Sequence, residues 1–198
     1  MNPSSLIRVQ DGDALVAVDV QNDFLPGGSL AVPQGDAVVP ALNRYLAAFA
    51  ARALPIFATR DWHPADHCSF KAQGGIWPPH CIAGTRGAEF SPALALPPAA
   101  VVVSKATTPG VDAYSGFGGT DLAARLNAGG VTRLYIGGLA TDYCVLNTVR
   151  DALAAGFVVL LLADAIRAVD VNAGDGARAE AEMQRLGARA IRHEDLAP

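Results

Sequence analysis

Only three cysteines, Cys68, Cys81 and Cys144, occur in 198 residues. Their odd number and wide spacing argue against a disulfide framework and for a reducing compartment. Charge is sparse as well: 17% of the residues are charged and the net charge is −4. So few charges cannot keep the chain solvated and disordered, and a mildly acidic balance gives it no reason to seek nucleic acid or an anionic membrane. The expected partner is a small molecule. No apolar run approaches the roughly 18 residues of a membrane span, and MNPSSLIRVQDGD lacks the apolar core of a signal peptide, so a cytoplasmic location is expected. Lysine is the scarcest charge, with two residues against thirteen arginines.

What the chain does have is apolar residues, 51% of the total, in short continuous runs. ALVAVDV (14–20), LPIFAT (54–59), AAVVVS (99–104), TRLYIGG (132–138) and GFVVLLLAD (156–164) read as strands covered on both faces, and ARAIR (188–192) as a weaker sixth. Helical spacing fills 36–52, 120–128, 142–155 and 173–187. The alternation predicts an α/β fold: three α/β/α layers around a mostly parallel sheet of about six strands, as one domain over residues 1–198. Two stretches break the rhythm, 21–35 and 61–98. They are rich in Gly, Pro and aromatics and hold three of the four histidines, and loops this long in a compact domain are usually functional. The segment 61–98 is expected to be an insertion carrying a metal site and a pocket. Helix faces left over from covering the sheet would suit a homo-oligomer, and composition does not separate that use from simple packing.

In an open α/β sheet the ligand crevice lies beyond the carboxyl ends of the strands. Asp19 ends the first run, Asp61 follows the second, Lys105 follows the third, and Ala140 to Cys144 follow the fourth. Cys144 would lie in the first turn of a helix, where unpaired N–H groups favour a thiolate, although a lone cysteine after a strand also reads as a small core residue. Lys105 stands where arginine would hold a surface charge equally well, which suggests a need for a compact ammonium. Asp19, ending an apolar strand, needs a cation or donor to offset desolvation unless it only caps a helix. Together the three could work as a unit: Asp19 takes the thiol proton, Lys105 stabilises charge and Cys144 attacks.

A second cluster lies in DWHPADH (61–67) and WPPH (77–80). Asp61, His63, His67 and His80 suit a mononuclear site of one carboxylate and three imidazoles, for which zinc, iron and manganese all remain eligible. Cys68 and Cys81 each adjoin a histidine of this set, allowing a rival Cys/His zinc site, but without the paired CxxC spacing that would favour it. His193 is expected to be a surface residue.

VDVQNDF (18–24), GGSLAV (27–32), DWHPADH with SF (61–70), WPPHC (77–81), Lys105, AYSGF (113–117) and GLATDYCV (138–145) resemble, in order, the signature stretches of nicotinamidases within the isochorismatase-like cysteine hydrolases. The resemblance spans about residues 14 to 165. It implies a Cys144-Asp19-Lys105 triad, a divalent ion on Asp61, His63, His67 and His80, a cis peptide between Leu139 and Ala140, and an oxyanion hole from the Ala140 and Cys144 N–H groups. It further implies that nicotinamide, and pyrazinamide too, is hydrolysed through a thioester as part of NAD salvage, with no organic cofactor. The pyridine nitrogen would sit on the metal and the ring between Phe24 and Trp77, near Leu30, Tyr114 and Tyr143. The stretch ATTPGVD (106–112) and the Pro64-containing spacing of His63 and His67 depart from many relatives, so the lid over the pocket is expected to differ in shape. Two other readings compete. One is a sibling hydrolase cutting another amide or a ureido compound, which would not need all four metal ligands; the other is a non-catalytic zinc-binding or redox-sensing module built on the cysteines.

Overall fold

A computed structural model describes residues 6–198. Six strands, β1 (Asp13–Val18), β2 (Ile56–Asp61), β3 (Val101–Lys105), β4 (Arg133–Leu139), β5 (Val158–Arg167) and β6 (Arg189–Ile191), form one sheet. Its order is β3-β2-β1-β4-β5-β6 and every pairing is parallel. β1 and β4 are wholly or almost wholly buried along their length, which is why their sequences run apolar without alternation.

Helix α1 (Val38–Ala50) covers one face. Val38, Val39, Leu42, Tyr45, Leu46 and Phe49 recur at helical spacing and pack with Leu15, Tyr135, Leu160 and Leu162 of the sheet. On the other face lie α2 (Leu122–Ala128), α3 (Leu146–Ala154) and α4 (Asp175–Arg185), which bury Leu122, Leu126, Val149, Ala152 and Met183 against Val16, Leu134, Ile136 and Leu161. The expected three layers are therefore present, and the sheet is parallel throughout rather than mostly so. The β2–β3 crossover has no α-helix, only short 3-10 turns at Lys71–Gln73 and Arg86–Ala88.

The direction of winding reverses between β1 and β4, and it is at such a switch point that an open sheet leaves a crevice. Register then decides what meets there. Val18 pairs with Thr59 and with Gly138, and Asp61 pairs with Lys105. Gly138, at φ +128, lies so close to β1 that a Cβ would stand 2.0 Å from the Val18 carbonyl oxygen. Only glycine allows that approach, which draws the end of β4 against Asp19.

Candidate active site

Asp19 follows β1 in a left-handed conformation, φ +48, held by its N–H donating to the Thr59 carbonyl at 3.1 Å. Its expected place as the last strand residue is thus off by one, and the turn is what swings the carboxylate into the crevice. Thr59 Oγ1 donates to Asp19 Oδ1 at 2.6 Å. Lys105 Nζ lies 3.0 Å from Asp19 Oδ2 but off the hydrogen-bonding direction, so Oδ2 has no donor among the described residues. The same ammonium donates to Asp61 Oδ1, to the Ala113 carbonyl at 3.1 Å and to Cys144 Sγ at 3.5 Å. Sγ also lies within 4.8 Å of a carboxylate oxygen of Asp19 and of Asp61.

Cys144 sits in a π-helical turn, Thr141–Val145, that leads into α3. The Leu139-Ala140 peptide is cis, and the Ala140 carbonyl accepts from the Tyr143 and Val145 N–H groups. The N–H group of Ala140 has no hydrogen-bond partner among the described residues. It remains able to donate to a ligand oxygen beside Cys144.

Asp19, Asp61 and Lys105 are all buried. Burial raises the Asp19 carboxyl, against the pull of Lys105 and the Thr59 hydrogen bond. For Asp61 burial also acts upward, but Lys105 and His63 outweigh it and hold this carboxyl well below the usual range. Burial alone would lower Lys105; the two carboxylates raise it well above the ordinary lysine value. Burial raises the Cys144 thiol, Lys105 opposes this, and Asp19 adds to it. The resting thiol is therefore neutral.

Beside the triad, Asp61, His63 and His80 bring one ligand atom each within 4.8 Å of one another. His63 Nδ1 faces the Ala106 carbonyl at 3.3 Å, and His80 Nδ1 faces the Pro78 carbonyl at 2.8 Å. A carbonyl only accepts, so both contacts put the ring proton on Nδ1 and leave Nε2 as a lone pair, the form in which imidazole binds metals. Burial also lowers His80 and keeps it neutral. Two carboxylates share one ammonium here, so the donor set and the local charge both fit a divalent cation.

His67 stands outside this set. Its ring stacks 4.2 Å from that of His63, Nε2 donates to the Val111 carbonyl at 3.1 Å, and Nδ1 lies 2.8 Å from Ser69 Oγ. Both nitrogens are hydrogen-bonded here, and three of the four expected ligand residues converge. Cys68 and Cys81 join none of these groups. Burial raises the Cys81 thiol, and the residue serves through its N–H, which donates to Asp23 Oδ2 at 2.7 Å. The rival Cys/His zinc site is not assembled among the described residues. His193, expected at the surface, is half-buried edge-on against Tyr45, with ring centroids 5.2 Å apart.

A narrow cavity of about 30 Å³ opens above Cys144 and is lined by Phe24, Leu30, Trp77, Tyr114 and Tyr143, together with Asp61, His80 and Ala140. Trp77 Nε1 donates to the Tyr114 hydroxyl at 2.9 Å, and Tyr143 packs edge-on against Trp77 at 5.0 Å. Phe24 lies across the cavity near His80, at 5.7 Å. Val32 and Val169 complete the wall; sequence reasoning missed them, as it missed Thr59, because a valine or threonine carries no chemical signal. Val169 owes its place to Asp142, whose carboxylate accepts from the Val169 and Asp170 N–H groups at 2.9 Å each.

A buried thiol with carboxylate and ammonium neighbours, set at a switch point under an aromatic pocket, defines a class of cysteine hydrolase. The chain belongs to the isochorismatase family, whose isochorismatase domain model matches residues 13–195. It is 39% identical over 196 residues to the nicotinamidase of Escherichia coli (strain K12), 88% of this chain and 92% of that one. The pyrazinamidase of Pyrococcus horikoshii, in complex with zinc, matches with a TM-score of 0.88 at 49% identity over 91% of this chain and 99% of that one. PnC1 from L. infantum, in complex with nicotinate, matches with a TM-score of 0.88 at 35% identity over 97% and 98%.

Proposed function

We propose that this chain is a nicotinamidase: it hydrolyses the carboxamide of nicotinamide to nicotinate and ammonia, takes pyrazinamide as a second substrate, and serves NAD salvage in the cytoplasm. One observation carries the reading. Cys144 Sγ lies 3.5 Å from Lys105 Nζ, within reach of Asp19, at the floor of an aromatic pocket that also contains Asp61 and His80. The relatives above support the substrate class.

The chemistry follows from residue properties. With substrate bound, the thiol proton passes to Asp19, whose Oδ2 is free to accept it, as sulfur adds to the carboxamide carbon. Lys105 offsets the charge on both groups, and the Ala140 and Cys144 N–H groups receive the developing oxyanion. Asp19 then returns the proton to the departing nitrogen, the C–N bond breaks and ammonia leaves. Water hydrolyses the Cys144 thioester, its proton passing through Asp19 back to sulfur. Phe24 and Trp77 hold the ring on its faces, and Leu30, Tyr114 and Tyr143 close the sides. Asp61, His63 and His80 would hold one divalent ion, which when bound supplies a Lewis-acid anchor for the pyridine nitrogen. His67 would join them through Nε2 by giving up Val111, its Nδ1 keeping Ser69.

Ammonia release from nicotinamide tests this. Wild type should be active, and Cys144→Ala should lose at least about 10³-fold in kcat, as expected for removal of a nucleophile. Asp19→Asn should lose about 10²- to 10⁴-fold, as for removal of a general base. Wild type that releases no ammonia with metal supplied would contradict the assignment.

A further inference from the structure

The ladder between β1 and β2 stops early. Asp19 N–H makes the last main-chain bond from β1, to the Thr59 carbonyl, and the chain then turns away at φ +48. β2 continues to Asp61 and is still paired on its other side, where Asp61 lies opposite Lys105 and Trp62 N–H donates to the Lys105 carbonyl at 3.1 Å. On the β1 side, Asp61 has no strand to meet its N–H and C=O.

Gln21 fills that place with its side chain. Nε2 donates to the Asp61 carbonyl at 2.8 Å and to the Ala88 carbonyl at 2.9 Å, while Oε1 accepts the Asp61 N–H at 2.8 Å. The residue is completely buried. A primary amide presents one donor edge and one acceptor edge, as a peptide group does, so the side chain imitates a strand residue. Its own backbone is fixed: Gln21 N–H donates to the Asp19 carbonyl, Asn22 N–H to Glu89 and Ser91 N–H to Val20, each at 2.9 Å. Asparagine is a methylene too short for this reach, and glutamate has the length but, when ionised, no donor. What Gln21 holds is the one carboxylate shared by the two halves of the site: Asp61 Oδ1 faces Lys105, and Oδ2 lies 3.7 Å from His63 Nε2.

We propose, resting on the metal reading above, that Gln21 is a positioning residue that fixes Asp61 for metal binding by pairing with its backbone on both edges. Zn²⁺ affinity by chelator competition and the Co²⁺ absorption spectrum, measured on the metal-free full chain as wild type, Gln21→Glu and Gln21→Asn, test this, with circular dichroism to check folding. Both variants should fold, bind Zn²⁺ about 10- to 100-fold more weakly and alter the Co²⁺ spectrum, the usual scale for a residue supporting a ligand. If folded Gln21→Glu binds with wild-type affinity and spectrum, the positioning role is wrong. Wild type that binds neither ion overturns the metal reading and this role with it. Failure of both variants to fold, even with metal present, also overturns it by making Gln21 a residue of the fold.

Discussion

Cys144 keeps its proton at rest because burial and Asp19 together outweigh the help of a single ammonium. Lys105 must serve two carboxylates at once, and this makes it the most consequential charge in the site. Asp61, with its carboxyl held below the ordinary 3.8, contributes stability that is present above that pH and lost as pH falls through the lower folded value. Lys105, raised above 10.5, contributes stability that is present below that pH and lost as pH rises through the folded value. Replacing Lys105 by Met leaves two buried carboxylates facing each other without a cation. Metal-free Lys105→Met should therefore lose about 3–5 kcal/mol at pH 8, the usual cost of breaking a buried pair from one side. With no cation to lower them, burial would hold both carboxyls above their unfolded values. Stability should then recover toward pH 5 as they take up protons, opposite in slope to the Asp61 contribution in wild type. Urea unfolding at the two pH values, with chelator present, measures both the loss and the slope.

At the scale of elements, the close approach of β4 to β1 and the π turn that follows carry Cys144 to Asp19. Gly138→Ala combines a left-handed φ with a Cβ 2.0 Å from the Val18 oxygen, and neither strand can yield without breaking ladder bonds. It should cost at least about 3 kcal/mol by denaturant titration and abolish ammonia release, the combined scale of backbone strain and overpacking. Most of this architecture was legible in the sequence. The apolar runs fell within a few residues of β1 to β6, and the spacing of Leu122 and Leu126 found α2, because period and turn chemistry act locally. The meeting of Asp19, Lys105 and Cys144 was legible too, since a charged residue that ends an apolar strand stands out. Contacts between distant segments were not. Thr59 reads as an ordinary strand residue until register places it beside Asp19, and nothing near His67 in the sequence shows that Val111, 44 residues away, meets its Nε2. Nothing in the local pattern of 141–155 distinguishes a π turn from the first turn of an α-helix.

Across the whole molecule, the two apolar layers on either face of the sheet are complete without the Asp61, His63 and His80 cluster, which lies at one end of it. Chelated protein should therefore remain cooperatively folded, unlike a domain built around structural zinc. Adding Zn²⁺ at about 100 times its Kd should raise unfolding free energy by about 2.7 kcal/mol, and Asp61→Ala should erase most of that gain in thermal unfolding. The account stands most directly on where the acyl group goes. Wild type mixed with nicotinamide and acid-quenched within the first turnover should yield, by peptide mass spectrometry, a single nicotinoyl group on the peptide containing Cys144. The adduct should be sensitive to hydroxylamine and absent in Cys144→Ala. Turnover with no acyl group on Cys144 under any quench, and ammonia release undiminished in Cys144→Ala, would contradict it.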